Sequence, residues 1–273
     1  MPAAPARLLL YLIFFTVLAW AAMLVLRRPS NDREWAPDHA RLAEIELNDT
    51  TVRIRGMRSF RWHDPERFDT GYREATYDLR RVESTWLVLA PFSKAWRGPA
   101  HTFVSFGFDD STYLAISVEA RRERGEEYGL LRGLSRSYEL IYLIGDEEDL
   151  IGKRALGEFD LYLFPIRTTP ERARAALRSM LERAERLRLH PEFYNTVSNN
   201  CTSNLVAHVN RVAPGRIPLG IKLLAPGYAD EVAAGLGLID STGSLQESRR
   251  RYRINDRART ALGRPDFSRL IRR

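Results

Sequence analysis

YNTVSNNCTSNLVAHVN, residues 194–210, contains the only cysteine of the chain, Cys201, directly after the helix-capping residue Asn200. Apolar residues such as Leu205 and Val209 then recur at helical spacing, which predicts a helix that begins at Cys201. The unpaired N–H groups and the positive dipole end of a helix stabilise a thiolate, the nucleophilic form of cysteine. The stretch therefore predicts a reactive thiol; the alternative is a buried, inert cysteine.

A cysteine nucleophile needs a base, and the chain has five histidines. His208 lies on the same predicted helix as Cys201, about 10 Å along its axis, which is too far for proton transfer. Three others have no evident catalytic partner in the sequence: His39, His63 and His190. The remaining histidine, His101, lies in a predicted pair of strands and is the candidate base.

The segment AHTFVSFGFDDSTYLAISVEA, residues 100–120, alternates like a β-hairpin around Asp109, Asp110 and Ser111. If these three residues form the loop, the apolar residues of both strands share one face of the sheet. His101 then lies opposite Glu119, with Ser117 diagonal to it, where a carboxylate can orient the ring and stabilise its charged form. A register slip of one residue would place Val118 opposite instead. The alternative is a surface ion pair without a catalytic role.

A histidine on one strand, a polar partner on the next strand and a cysteine at the start of a later helix resemble the circularly permuted NlpC/P60 branch of the papain-like superfamily. Several segments are more closely similar to the Lnb N-terminal periplasmic domain family. These segments are NDREW (31–35), AHTFVSFGF (100–108), YLAISVEARRERGEEY (113–128), YELIYLIGDEEDLI (138–151) and PEFYNTVSNNCTSNL (191–205). The similarity extends over most of the chain after Arg28, and the segment around Cys201 is its most specific part.

The resemblance implies an α+β fold of the circularly permuted papain-like type, in which an antiparallel sheet packs with helices. It implies a cysteine-dependent acyltransferase that acts on lipids or lipoproteins through an acyl-thioester on Cys201. His101 would be the base and Glu119 the third member of the triad. The candidates for oxyanion binding or support are Asn200, Ser117 and Tyr194. A cell-wall peptidase or amidase and a catalytically silent, membrane-tethered binding module are the alternative functions.

An uncharged run of 19 residues at positions 8–26 predicts one N-terminal transmembrane helix, because about 20 apolar residues span a bilayer. The alanines in this run also allow a cleaved signal peptide. The predicted domains are a membrane anchor at 1–28 and a papain-like periplasmic domain at 29–273, joined by a polar linker at 30–38. The predicted location is the bacterial inner membrane, with the main domain on the periplasmic side, as the resemblance implies.

Residues 249–273 carry ten arginines and two aspartates, which accounts for the formal net charge of +7 and predicts a solvated basic tail. The predicted partners are membrane lipids and a lipoprotein or peptide substrate, without nucleic acid; the oligomeric state is left open. The sequence contains no metal-ligand spacing, glycine-rich phosphate loop or nucleotide fingerprint, so no cofactor and no metal are predicted. The single cysteine excludes a disulfide framework within the chain.

Overall fold

The computed structural model describes residues 4–108, 112–218, 220, 225–240 and 243–272, without the side chains of residues 4–6, 23 and 24. Its strands are β1 (Glu44–Leu47), β2 (Thr51–Arg58), β3 (Arg61–Trp62), β4 (Phe68–Asp69), β5 (Tyr72–Asp78), β6 (Val82–Pro91), β7 (Ala100–Phe108), β8 (Thr112–Arg121), β9 (Glu139–Gly145) and β10 (Tyr162–Pro165). Its α-helices are α1 (Ala4–Leu26), α2 (Glu147–Ala155), α3 (Pro170–Leu189), α4 (Cys201–Val212), α5 (Ala229–Gly235), α6 (Leu245–Tyr252), α7 (Asn255–Ala261) and α8 (Phe267–Leu270).

The main sheet runs in the order β1-β2-β9-β8-β7-β6-β10, and β5 pairs with β2 beside this path. Neighbouring strands are antiparallel except β2 and β9, which meet in parallel at Arg58 and Gly145. The α+β class is as predicted, but the sheet is mixed and not wholly antiparallel. The difference arises because β2 and β9 are distant in the chain, and local alternation gives no signal for such a pairing.

The hairpin of β7 and β8 has the predicted register over the part that is paired, from Val104 opposite Ile116 to Phe108 opposite Thr112. The loop between them, residues 109–111, lies outside the described residues. The apolar face of this hairpin belongs to one hydrophobic core, which includes Phe106 and Leu114. Because the register follows the apolar alternation, His101 and Glu119 both point to the opposite face.

Helix α3 covers the apolar face with Leu177, Met180 and Leu181, each at most 1% exposed. Burial of a side chain of this size contributes about 1.5–3 kcal/mol. Thr169 caps the start of α3, where its side chain accepts a hydrogen bond from Arg172 N. Helix α4 packs against α3 and against strands β7 and β8, and the first turn of α4 lies near the start of β7.

Helix α2 is held to the opposite face by Asp149, which is fully buried. Its carboxylate accepts hydrogen bonds from Arg58 Nε at 2.9 Å, Phe60 N at 3.0 Å and Trp62 Nε1 at 2.8 Å. A buried ion pair with this many donors leaves little of either charge unsatisfied. This network positions α2, and with it the two basic side chains at its end that border the candidate site.

The basic C-terminal segment is not a solvated tail, which corrects the sequence prediction. Helices α7 and α8 and the residues beside them pack on a second hydrophobic core, which includes Ile254, Ala258 and Ile271, each at most 1% exposed. Arg272 pairs through both terminal nitrogens with Glu147, at 2.5 and 2.7 Å. The high arginine count concealed these apolar residues, and several arginines are themselves paired on the protein surface.

The N-terminal predictions also need correction. Helix α1 (Ala4–Leu26) covers the uncharged run, but none of the helices in the described residues is long and apolar enough to cross a membrane. The predicted transmembrane helix is therefore wrong; it rested only on a count of apolar residues in the sequence. The segment 30–38 is not a free linker either, because Trp35 is buried and Asn31 Nδ2 donates to the carbonyls of Leu187 and Arg188.

Candidate active site

Cys201 is the first residue of α4, and Asn200 is its N-cap, as predicted. Asn200 Oδ1 accepts from Ser203 N at 2.9 Å, and Ser203 Oγ accepts from Asn200 N at 2.8 Å. This reciprocal capping box fixes the first turn of the helix and the direction of the cysteine side chain. Cys201 is 6% exposed, at the edge of the apolar core.

The structure brings His101 and Cys201 into hydrogen-bonding contact. His101 comes from the start of β7 and is 6% exposed, so the two groups meet where little water can reach them. The Nε2 atom of His101 lies 2.6 Å from Ser117 Oγ, which leaves Nδ1 to face the thiol. A nucleophile and a base in hydrogen-bonding contact are arranged for proton transfer.

Ser117 and Glu119, both on β8, lie on the far side of the imidazole. Ser117 Oγ donates to Glu119 Oε1 at 2.7 Å, whereas His101 Nε2 is 3.4 Å from the same carboxylate oxygen. The sequence favoured Glu119 over Ser117 as the contact of His101; the structure keeps the carboxylate within ion-pair distance and places the Ser117 hydroxyl nearer to the ring nitrogen. Because the Ser117 hydroxyl donates its proton to Glu119, its oxygen accepts a hydrogen bond from His101 Nε2–H. These hydrogen bonds fix the neutral His101 ring as the tautomer with its proton on Nε2.

Glu119 has two further partners that sequence reasoning did not assign. Arg154 Nη2 donates to Oε1 at 3.0 Å, and His39 Nε2 lies 3.6 Å from Oε2. Arg122 N donates to His39 Nδ1 at 3.1 Å, so the proton of this buried ring is on Nε2 and points toward the carboxylate. The sequence offered only one signal for His39, its position four residues after the NDREW segment.

The electrostatics favour a thiolate–imidazolium pair. Burial raises the pKa of Cys201, but the hydrogen bond and charge of His101 outweigh it and lower this pKa to about 7. Burial lowers the pKa of His101, but hydrogen bonds to Cys201 and Glu119 raise it above its ordinary value. Burial likewise raises the pKa of Glu119, but the charge of Arg154 and the two histidines hold it well below its usual range. Glu119 is therefore a carboxylate whenever His101 is charged.

Two depressions meet at Cys201. The first, the apolar groove, is lined by Cys201 and by Phe92, Trp96, Leu130 and Pro226. The second, the polar pocket, is lined by Cys201, His101 and charged residues of the surrounding elements. The charged residues of the polar pocket are Asp38, Glu66, Glu119, Arg122, Lys153 and Arg154. The thiol can thus meet an apolar group on one side and a polar group on the other.

The remaining candidates for oxyanion binding or support are Tyr194 and Asn200, and the hydrogen bonds of both are made within the protein. Tyr194 is buried between the two depressions, and its hydroxyl lies 3.1 Å from that of Tyr128. Both amide atoms of Asn200 are engaged, Oδ1 in the helix cap and Nδ2 on Thr196 O, so Asn200 supports the turn. The first backbone N–H groups of α4 are better placed to hold an oxyanion, because they point out of the helix start.

The other histidines lie away from this site. His208 is held by Ser179 and Tyr142 at 2.8 Å each, and burial with nearby arginines lowers its pKa to about 4. His63 pairs with Asp69 at the surface, and His190 is exposed at the end of α3. Within the described part of the chain, no group of three or more His, Cys, Asp and Glu side chains is arranged to hold a metal ion.

Comparison with known proteins gives one match. No curated protein and no solved structure matches the chain, so its predicted place in the papain-like superfamily stays a prediction. The model of the Lnb N-terminal periplasmic domain family matches residues 69–227, more than half of the chain. The matched region includes His101, Ser117, Glu119 and Cys201, and a periplasmic domain family indicates an extracytoplasmic location. With the predicted segments around His101 and Cys201 inside the match, the chain belongs to the Lnb N-terminal periplasmic domain family.

Proposed function

We propose that this protein is a cysteine-dependent acyltransferase that takes an acyl group from a lipid ester and passes it to an amine of a lipoprotein or peptide. The observation that carries the proposal is the position of the Cys201–His101 pair between an apolar groove and a polar pocket. An acyl donor needs an apolar surface beside the nucleophile, and a polar acceptor needs access to the same carbon from the other side.

The first half-reaction forms the thioester. His101 takes the proton of Cys201, and the thiolate attacks the carbonyl carbon of the ester. A C–S bond forms and the N–H groups at the start of α4 stabilise the oxyanion. The C–O bond of the ester then breaks, and the leaving alcohol takes the proton from the His101 imidazolium. Ser117 and Glu119 keep the imidazole oriented through both proton transfers.

The second half-reaction transfers the acyl group from the sulfur of Cys201 to an amine. An amine enters from the polar pocket and attacks the thioester carbonyl while His101 takes one of its protons. The C–N bond forms and the C–S bond breaks, and the proton returns from His101 to the sulfur of Cys201. The thiol is regenerated, and no oxidant or reductant is consumed.

Intact-mass spectrometry tests the first half-reaction directly. The purified full-length chain, incubated with phosphatidylethanolamine vesicles, is expected to gain the mass of one acyl group on Cys201. Cys201→Ala is expected to gain none. Equal adducts in both proteins, or no adduct in either, would contradict the proposal.

A pair of acceptors tests the second half-reaction. A synthetic lipopeptide with a free amino terminus is expected to remove the acyl group and become acylated, whereas its amino-acetylated counterpart is expected to leave the adduct in place. The polar pocket also favours a second candidate, a hydrolase in which water replaces the amine. Release of free fatty acid at the same rate with both peptides would establish the hydrolase instead.

A further inference from the structure

A third cavity, separate from the apolar groove and the polar pocket, lies between α4, α3 and the sheet, and Cys201 is not among its lining residues. Its volume is about 180 Å³, and apolar side chains form most of its wall. These include Leu87, Val104 and Phe106 of the sheet, Ala176 of α3, and Val206 and Val209 of α4. For comparison, an apolar cavity of roughly 150 Å³ in another protein holds a benzene molecule. The name "α4 cavity" is used for this space.

The α4 cavity adjoins the candidate active site at two points. Pro226 lines both this cavity and the apolar groove beside Cys201. Thr102 and Thr202 line its inner end, and both contact the nucleophile. Thr102 N hydrogen-bonds to the thiol, and Thr202 Oγ1 lies 3.8 Å from Cys201 Sγ. The cavity therefore begins one residue from the reacting sulfur.

Two buried hydroxyls in the cavity wall lack a hydrogen-bond partner among the described residues, Thr85 Oγ1 and Thr102 Oγ1. Their residues are 7% and 1% exposed. Buried hydroxyls without partners are costly and uncommon in folded proteins, which points to a ligand that supplies the missing contact.

The positions of the two threonines also give the length of the α4 cavity. Thr102 of β7 pairs with Leu89 of β6, and Thr85 of β6 pairs with Phe106 of β7, four residues farther along both strands. At about 3.3 Å per residue, the two hydroxyls are about 13 Å apart along the sheet. The lining continues past Thr85 to Arg172, which is exposed at the start of α3. The space is elongated, and its walls are apolar between its polar ends.

We propose that the α4 cavity binds the hydrocarbon chain of the acyl group, with the carbonyl end near Thr102 and Thr202 and the chain directed toward Thr85. The inference rests on the proposed function and deepens it, because it makes long-chain acyl groups the preferred substrates. An elongated apolar space offers a short acyl group no contact beyond its first carbons, whereas each further buried methylene adds binding free energy.

A chain-length series tests this specificity. Acetyl and palmitoyl p-nitrophenyl esters are offered to the full-length chain, and the rate of acyl-adduct formation on Cys201 is measured by mass. The wild type is expected to react with the palmitoyl ester on the order of tenfold faster or more, since each buried methylene adds to the binding of the chain. A palmitoyl rate equal to or below the acetyl rate would overturn the proposal while the thioester chemistry stood.

Substitutions in α3 and α4 test whether the preference for long acyl chains depends on the α4 cavity. Val209→Trp and Ala176→Trp fill the α4 cavity from two different helices, and each is expected to lower the ratio of palmitoyl to acetyl rates toward one. Ala207→Trp is the matched control, because this residue is exposed on α4 outside the cavity wall, and it is expected to keep the wild-type ratio. A ratio unchanged in both cavity variants would overturn the proposal.

Photocrosslinking separates a failure of this inference from a failure of the proposed function, because it needs no reaction at sulfur. Cys201→Ala is illuminated with palmitic acid that carries a diazirine at its methyl end, and the modified peptides are mapped. Crosslinks are expected in α3 and α4 and are expected to decrease at least about fivefold when Val209→Trp is added. Crosslinks only elsewhere, or undiminished by that substitution, would overturn the cavity assignment whether or not Cys201 proves to be acylated.

Discussion

Replacement of His101 by glutamine removes the imidazole that stabilises the thiolate of Cys201. With His101 present, the pKa of Cys201 is lowered from 9.0 to about 7. Without it, burial still raises this pKa, so the variant is expected to have a value of at least about 9. A change of two pKa units corresponds to about 2.7 kcal/mol of lost thiolate stabilisation.

The expected kinetic effect has two opposing parts. At pH 7 the thiolate fraction falls from about one half to about one hundredth, a loss of about fiftyfold. The thiolate of higher pKa is intrinsically more nucleophilic, by about eightfold for a Brønsted coefficient of 0.4–0.5. The net rate at pH 7 should fall only about sixfold, while the pH midpoint moves upward by about two units and the rate at high pH exceeds that of the wild type.

Thiol–disulfide exchange with a small aromatic disulfide, followed by absorbance between pH 5 and 10, measures this profile. Because the chain has one cysteine, every exchange event reports on Cys201. His190→Gln is the matched control, since this histidine is exposed at the end of α3, and it should keep the midpoint near 7. A midpoint near 7 in His101→Gln would refute the pairing of His101 with the thiol.

Three other substitutions test the surroundings of this pair. Glu119→Gln should lower the rate of Cys201 acylation by about two orders of magnitude, because the imidazolium loses its carboxylate, whereas Cys201→Ala should abolish it; an unchanged rate would remove Glu119 from the site. His39→Asn should lower that rate about tenfold, because the Glu119 carboxylate loses one of the groups that hold it in place; an unchanged rate would leave His39 a packing role only. Arg58→Ala should lower the free energy of unfolding in urea by about 3–5 kcal/mol, because the Asp149 carboxylate is left buried and without its ion-pair partner. The control Arg61→Ala, at an exposed position, should change this free energy by less than about 0.5 kcal/mol.

The features that local pattern could predict are those decided within one or two neighbouring elements. The alternation of apolar residues in the β7–β8 hairpin identified the register, because only one pairing buries all of them on one face. The helix start at Cys201 followed from Asn200, whose side chain accepts from the turn that it precedes. The contact between Cys201 and His101 could be predicted because each residue lies in a segment with a clear hydrophobic period.

The features that could not be predicted depend on contacts between distant segments. His39 reaches Glu119 from a segment about eighty residues away, and no spacing rule connects a buried turn with a strand residue across such a distance. Ser117 Oγ lies closer to His101 than Glu119 does, which depends on side-chain rotamers and not on register. The C-terminal arginines suggested a free tail because net charge reports composition and does not report which apolar residues between them are buried.

Cys201 is the only cysteine of the chain, and this has a consequence for its redox chemistry. A thiolate with a pKa near 7 reacts readily with peroxide to form a sulfenic acid, and susceptibility follows thiolate character and access. Within this chain no second cysteine exists to capture that sulfenic acid as a disulfide, so recovery depends on a thiol supplied from outside. At 6% exposure, burial of Cys201 limits the access of oxidants, and substrate bound in the groove would limit it further. Under the proposed function, the walls of the groove that bind the lipid ester would also determine how long the Cys201 thiolate survives in an oxidising compartment.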